Sequence, residues 1–228
     1  MTDKEGRGGF FSTVKVTGTG MLRLRPDTTR VDISLHGTEK EYADAVRRSA
    51  EDTEKLKTLL EKLGFARDAL KTLNFRVDPR YESYQENNVY KQRLVGYEFY
   101  HGMKIEFPSD NALLGRVLYA LANSELTPEF SLSYTVGDKE AAKNRLIGAA
   151  VLDAQEKAHV LADAAGVTLG KVLSINYSLA DNDFAVRPMA KMAMARNECA
   201  DSACGYSIDI EPDSIEVRDT VTIVWLVN

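Results

Sequence analysis

The chain has 228 residues, with 29 Lys plus Arg against 34 Asp plus Glu and a net charge of -5. Its 44% hydrophobic and 28% charged residues make an ordinary globular mix, which excludes wholesale disorder and collagen-like repetition and leaves enough apolar surface for a core without disulfides or metal. The mild acidity argues against a dedicated nucleic-acid binder, which needs a clustered basic face, and no apolar run reaches the roughly 18 residues of a membrane span.

The start, MTDKEGRGGFF, lacks the basic-then-apolar stretch of a secretory signal, because Phe10 and Phe11 give way at once to Ser12 and Thr13. Residues 1–11 read as a flexible tail, and the expected location is cytoplasmic. Val14 and Val16 lead through Gly18-Thr19-Gly20 to Leu22, Leu24 and Pro26, and the alternation of Val31, Ile33 and Leu35 marks a half-buried strand. Thr38 and Glu41 have the spacing of a capping box, opening a helix with Tyr42, Ala45, Val46, Ser49, Thr53, Leu56, Leu60 and Leu63 on one stripe and Gly64 as its stop. Leu73, Phe75 and Val77 predict a strand that ends at Pro79. A polar, tyrosine-bearing stretch (Tyr81, Tyr84, Tyr90) then turns the chain into a strand carrying Tyr97, Phe99, His101, Met103, Ile105 and Phe107 on one face.

Pro108 and Ser109 open a short helix with Leu113, Leu114, Val117, Leu118 and Leu121 on its apolar side, and Phe130, Leu132 and Tyr134 form another strand. Asp138 caps a second long helix whose stripe is Ile147, Val151, Ala154, Ala158, Leu161 and Ala165, and Gly166 sits where a left-handed cap belongs. Leu173, Ile175, Tyr177 and Leu179 predict a strand, residues 181–212 a long loop, and Val221, Ile223, Trp225 and Val227 the closing strand. Paired strands with interspersed helices make an α+β layered fold, a mostly antiparallel sheet with two long helices and one short one.

Several motifs invite chemistry. Gly18-Thr19-Gly20 is no phosphate cradle, because no helix opens behind it and Arg23 stands where a third glycine would be; a turn or bulge is the expectation. The three histidines, His36, His101 and His159, have no metal spacing, and only His101 shares the parity of a core face. A ligand or catalytic site near His101, Tyr97 and Tyr100 is the sharp alternative to a satisfied core histidine. Glu39, Glu41 and Asp44 read as a solvated, salt-bridged helix face. Cys199 and Cys204 lack C-x-x-C spacing and form a candidate redox pair or two reduced thiols. Met189, Met192 and Met194, with Lys191 and Arg196 at the rim, form a candidate interaction loop, since methionine suits adaptable contacts.

The stretches VTGTGMLRLRPDTTRVDISL, LEKLGF with LKTLNFRVDPRYESY, RLVGYEFYHGMKIEF, AAVLDAQEKAHVLADAAGVTLGKVLSINYS and RPMAKMAMAR, in that order, resemble the SIMPL domain family, a family of unknown function with members linked to oxidative-stress defence and kinase-associated adaptors. The resemblance covers residues 12–228 as one domain. It implies an α+β unit, often in two lobes, with an inner α/β lobe at about 108–180, and a tendency toward ring-like homo-oligomers. Many relatives are exported to the bacterial envelope. The family offers no agreed catalytic residues to carry over. The expected function is therefore a non-enzymatic assembly or interaction module with an unknown protein partner and no cofactor. The alternative is a small-molecule binder or enzyme with a site between lobes near His101.

Overall fold

The computed structural model describes residues 12–86, 88–177, 184–186 and 210–228. Its elements run β1 (Thr13–Leu24), β2 (Thr28–Glu39), α1 (Tyr42–Glu61), β3 (Lys71–Glu86), β4 (Val89–Pro108), α2 (Asn111–Ala122), β5 (Glu129–Thr135), α3 (Lys139–Ala165), β6 (Leu169–Tyr177), β7 (Ala185–Val186) and β8 (Ile215–Val227). The fold is α+β: among the described residues every strand pairing is antiparallel, and the strands form a three-stranded sheet β1-β8-β6 and a five-stranded sheet β3-β4-β2-β5-β7. The chain divides into two compact units, one of residues 1–25, 136–184 and 214–228, the other of residues 26–135 and 185–213.

The first unit is held by one close approach. Strand β1 pairs with β8 in unbroken register from Thr13 to Leu24, so Gly18-Thr19-Gly20 is neither a turn nor a bulge. Its glycines face α3. A Cβ on Gly18 would lie 2.1 Å from the Ala150 carbonyl oxygen, and one on Gly20 would lie 2.2 Å from that of Leu146. The helix meets them with a face of five alanines and one leucine, burying Ala142, Leu146, Ala150, Ala154, Ala158 and Ala162 at four-residue steps. This corrects the predicted stripe: Ile147 and Val151 are only partly buried and Leu161 is half exposed, because backbone proximity, not side-chain hydrophobicity, sets which face docks. Asp153 completes the contact, its carboxylate accepting from the Thr19 amide at 2.6 Å and from Lys157 at 2.7 Å. These bonds hold its pKa below the usual carboxylate range, Lys157 contributing most. Asp138 and Gly166 cap the helix as expected, the former accepting from the Ala141 amide and the latter at φ 68°. Val16, Val221, Ile223 and Trp225 fill the space beneath.

In the second unit α1 and α2 cover one face of the five-stranded sheet. Val31, Ile33 and Leu35 of β2, with Phe99, Met103, Ile105 and Phe107 of β4, pack against Ala45, Leu56, Leu60, Leu114, Val117, Leu118 and Leu121. The capping box does not form. Thr38 stays in β2 and accepts from Arg80, and the cap position of α1 is Glu41, without a side-chain bond. The strand therefore overruns the predicted helix start by two residues. Pro108 likewise belongs to β4, and the carboxylate of Asp110 caps α2 through the amides of Ala112 and Leu113, at 2.8 and 3.1 Å. Pro79 does not end β3, because β3 is an edge strand and a missing amide on the outer side costs no ladder bond.

Gly18→Val is expected to destabilise the protein by about 3 kcal/mol or more, since neither backbone nor helix has room to give. A lowered urea midpoint measures it, and an unchanged midpoint would show that the helix does not depend on the approach. Tyr134 offers a change of opposite sign. Its side chain is buried, and among the described residues its hydroxyl has no hydrogen-bond partner. Tyr134→Phe is expected to raise stability by up to about 1 kcal/mol, read by the same titration.

Candidate interaction surface

His101 sits in β4 opposite Leu35 on one side and Phe75 on the other, on the face covered by α1. Three hydroxyls surround its ring. Nδ1 lies 3.1 Å from Thr53 Oγ1 and 3.3 Å from Ser49 Oγ, and Nε2 lies 3.0 Å from Thr72 Oγ1. The Thr53 hydroxyl spends its proton on the Ser49 carbonyl at 2.7 Å, so it accepts from Nδ1–H, and Nε2 then accepts from Thr72. Phe75 packs edge-on at 5.3 Å. Burial, and to a smaller degree the charge of Lys57, push the imidazole below its ordinary value. Both nitrogens are thus engaged in holding β3, β4 and α1 together, all within one unit.

The residues grouped with His101 from the sequence do not converge on it. Tyr97 shares its face, where its ring meets Tyr42 edge-on at 5.7 Å. Tyr100 lies on the opposite face, its hydroxyl 2.8 Å from Ser34 Oγ and its ring beneath the Arg76 guanidinium at 5.0 Å. A polar cleft of about 430 Å³ is lined by His36, Glu39, Arg47, Arg48, Asp52, Lys55 and Thr127, among others. Its cations pair internally: Arg48 with Glu39 at 2.6 Å and Asp52 at 3.6 Å, Lys55 with Asp52 at 3.2 Å, and Arg47 with Asp44. Glu39 and Asp44 are thus salt-bridged as expected, although Glu39 sits in β2 and not on the helix. Cys199, Cys204, Met189, Lys191, Met192, Met194 and Arg196 lie outside the described residues.

Among the described residues, exposed apolar side chains also gather where β3 and β4 run on together. Strand β2 reaches β4 only from Pro108 back to Tyr97, whereas β3 and β4 continue together to the pair Glu86 and Val89. The stretch read as a connecting turn is therefore a two-stranded arm of six residue pairs, about 20 Å long at the usual rise per residue. At its root Gly96 has no room for a side chain, because a Cβ there would lie 2.4 Å from the Glu39 carbonyl oxygen. A register shift beside it leaves Val95 without an opposite residue. At its tip, next to the pair Glu86 and Val89, Asn88 takes a left-handed conformation, φ 64°, which asparagine tolerates well.

Directly opposed residues share a face, so the ladder sorts the arm into two sides. Tyr81 with Leu94, Ser83 with Gln92 and Gln85 with Tyr90 form one side, free of charge. Glu82 with Arg93 and Tyr84 with Lys91 belong to the other, where Arg93 binds Glu82 at 2.8 Å and overhangs the Tyr84 ring at 5.7 Å. Tyr81, Leu94 and Val89 are about half exposed and Tyr90 is 79% exposed. The signal available in the sequence was the density of tyrosine in a polar stretch; alternation was absent because neither side is covered.

His101 makes a testable contribution to stability. Its pKa is lowered in the folded chain, so the unfolded chain takes up a proton first as pH falls below about 6.5. The stability it supports is complete above that pH and is lost as pH falls through the folded value. His101→Gln, which keeps a donor and an acceptor, is expected to flatten this part of the pH–stability curve; identical curves would remove the histidine from the account.

The sequence is similar to those of several known proteins. Over 164 residues the chain is 27% identical to the 26 kDa periplasmic immunogenic protein of Brucella melitensis, covering 72% of this chain but only 65% of that protein's length. Over 215 residues it is 24% identical to the uncharacterized protein YggE of Edwardsiella ictaluri and 26% identical to that of Escherichia coli, covering 93% of this chain and 85% and 82% of theirs. No helix among the described residues is long and apolar enough to cross a membrane. The model of the SIMPL family, proteins of unknown function (DUF541), matches residues 14–225, and the chain belongs to that family.

Proposed function

We propose that this chain is a non-enzymatic assembly module that forms homo-oligomers. The observation that carries the reading is the arm. A two-stranded hairpin is at best marginal in water without a third strand or a packed face, yet this one continues six pairs past the end of β2 with Tyr81, Val89, Tyr90 and Leu94 exposed. Exposed aromatic and aliphatic groups concentrated on one element are the mark of a contact surface, and tyrosine supplies large contact area with little loss of side-chain freedom. The neutral, fully bonded His101 gives the enzymatic alternative less support, since a general base needs a lone pair free for substrate.

Light scattering on the intact chain is expected to give a mass at least twice the 25.3 kDa of one copy. Replacing residues 82–93 by an Asn-Gly turn is expected to bring the mass to that of one copy while leaving helix content and the urea midpoint nearly unchanged, because neither core includes the arm. A monomeric wild-type chain at high concentration would overturn the proposal.

A further inference from the structure

We propose that the uncharged side of the arm packs against the same side of a second copy about a two-fold axis; the inference rests on the assembly reading above. Each chain carries a net charge of -5, so two copies repel over most of their surfaces and meet at least cost where no charge is brought in. The arm separates its charges to suit this. Glu82 and Arg93 form an ion pair on one side, whose burial would strip both groups of water. The other side consists of Tyr81, Ser83, Gln85, Tyr90, Gln92 and Leu94.

The row order makes that side complementary to itself. Tyr81 and Leu94 form the row nearest the root, Ser83 and Gln92 the middle row, and Gln85 and Tyr90 the row nearest the tip. A two-fold axis through the middle row lays the root row of each copy over the tip row of the other. Tyr90, the most exposed large side chain of the arm, is then covered by Tyr81 and Leu94 of the second copy. Two ribbons stacked in this way lie about 10 Å apart, the spacing of packed sheets. The tyrosine hydroxyls remain at the rim, where amphipathic rings keep their polar ends wet. Such an isologous contact closes on itself and needs no other surface.

Crosslinking through single cysteines tests the face directly. In a chain carrying Cys199→Ser and Cys204→Ser, Gln92→Cys and, as a second probe, Ser83→Cys stand beside the axis, whereas Tyr84→Cys stands on the charged side. With a bis-maleimide crosslinker of about 10 Å reach, the two axial variants are expected to link into dimers about tenfold faster than Tyr84→Cys, because their thiols face each other across the gap of about 10 Å between packed ribbons whereas Tyr84→Cys points away from it. Equal rates, or faster linkage of Tyr84→Cys, overturn the inference. If light scattering shows an oligomer and neither axial variant links, the face is wrong and the assembly reading stands. If the wild-type chain is monomeric, the assembly reading fails and this inference fails with it.

Discussion

Strand β4 bonds to β2 over Tyr97–Pro108 and to β3 over nearly its whole length, and the difference between those two ladders separates the core of the second unit from its exposed arm. Where β4 has neighbours on both sides and helices above it, its inward residues are Phe99, Met103, Ile105 and Phe107, all buried. Where β2 is missing, the same strand carries Tyr90, Gln92 and Leu94, and no hydrophobic alternation follows because no covered face exists to select one. His101 marks the inner side of that boundary. Bonded to Ser49 and Thr53 of α1 and to Thr72 of β3, it ties the edge strand to the helix just before the chain leaves the covered region.

The first unit solves a different packing problem. An α-helix is about 10 Å across and strands lie about 4.8 Å apart, so one helix covers about two strands of a three-stranded sheet. The glycines of β1 decide which two. By admitting the backbone of α3 at Ala150 and Leu146, they draw the helix over β1 and β8, and the Asp153 bond to the Thr19 amide fixes it there. Strand β6 is left at the margin, with Val172, Leu173 and Ile175 each about half exposed. Glycine and alanine here are not weak spots in a strand and a helix. They are the shape of the interface.

These two cases explain what was legible in the sequence. The α+β class, the three helices and the inward parity of β2, β4, β5 and β8 were readable because each has one covered face, which imposes a period of two or 3.6 on the residues. The caps at Asp138 and Gly166 were readable because cap chemistry is local. The arm was not, since a ribbon exposed on both sides has no period to detect. The docking stripe of α3 was misplaced for the opposite reason: a pattern weighted by hydrophobicity favours Ile147, Val151 and Leu161, while the close approach demands alanine. Thr38 and Glu41 had the spacing of a capping box, but the ladder of β2 with β4 runs on to the pair of Glu39 and Tyr97 and claims the residue the cap would have used.

The candidate site followed the same logic. A histidine among Phe99, Met103 and Phe107 attracts a catalytic reading because burial perturbs it, yet burial alone does not distinguish a poised base from a structural one. The distinction lies in what the ring nitrogens touch. Here the direction of the Thr53 hydroxyl, fixed by the Ser49 carbonyl, dictates the tautomer, and the tautomer uses the second nitrogen as the acceptor for Thr72. A second proton on the ring would displace that bond and add a charge near Lys57, which already disfavours it. The neutral ring is therefore the state that the surrounding hydroxyls bind, and His101 serves the packing of β3, β4 and α1.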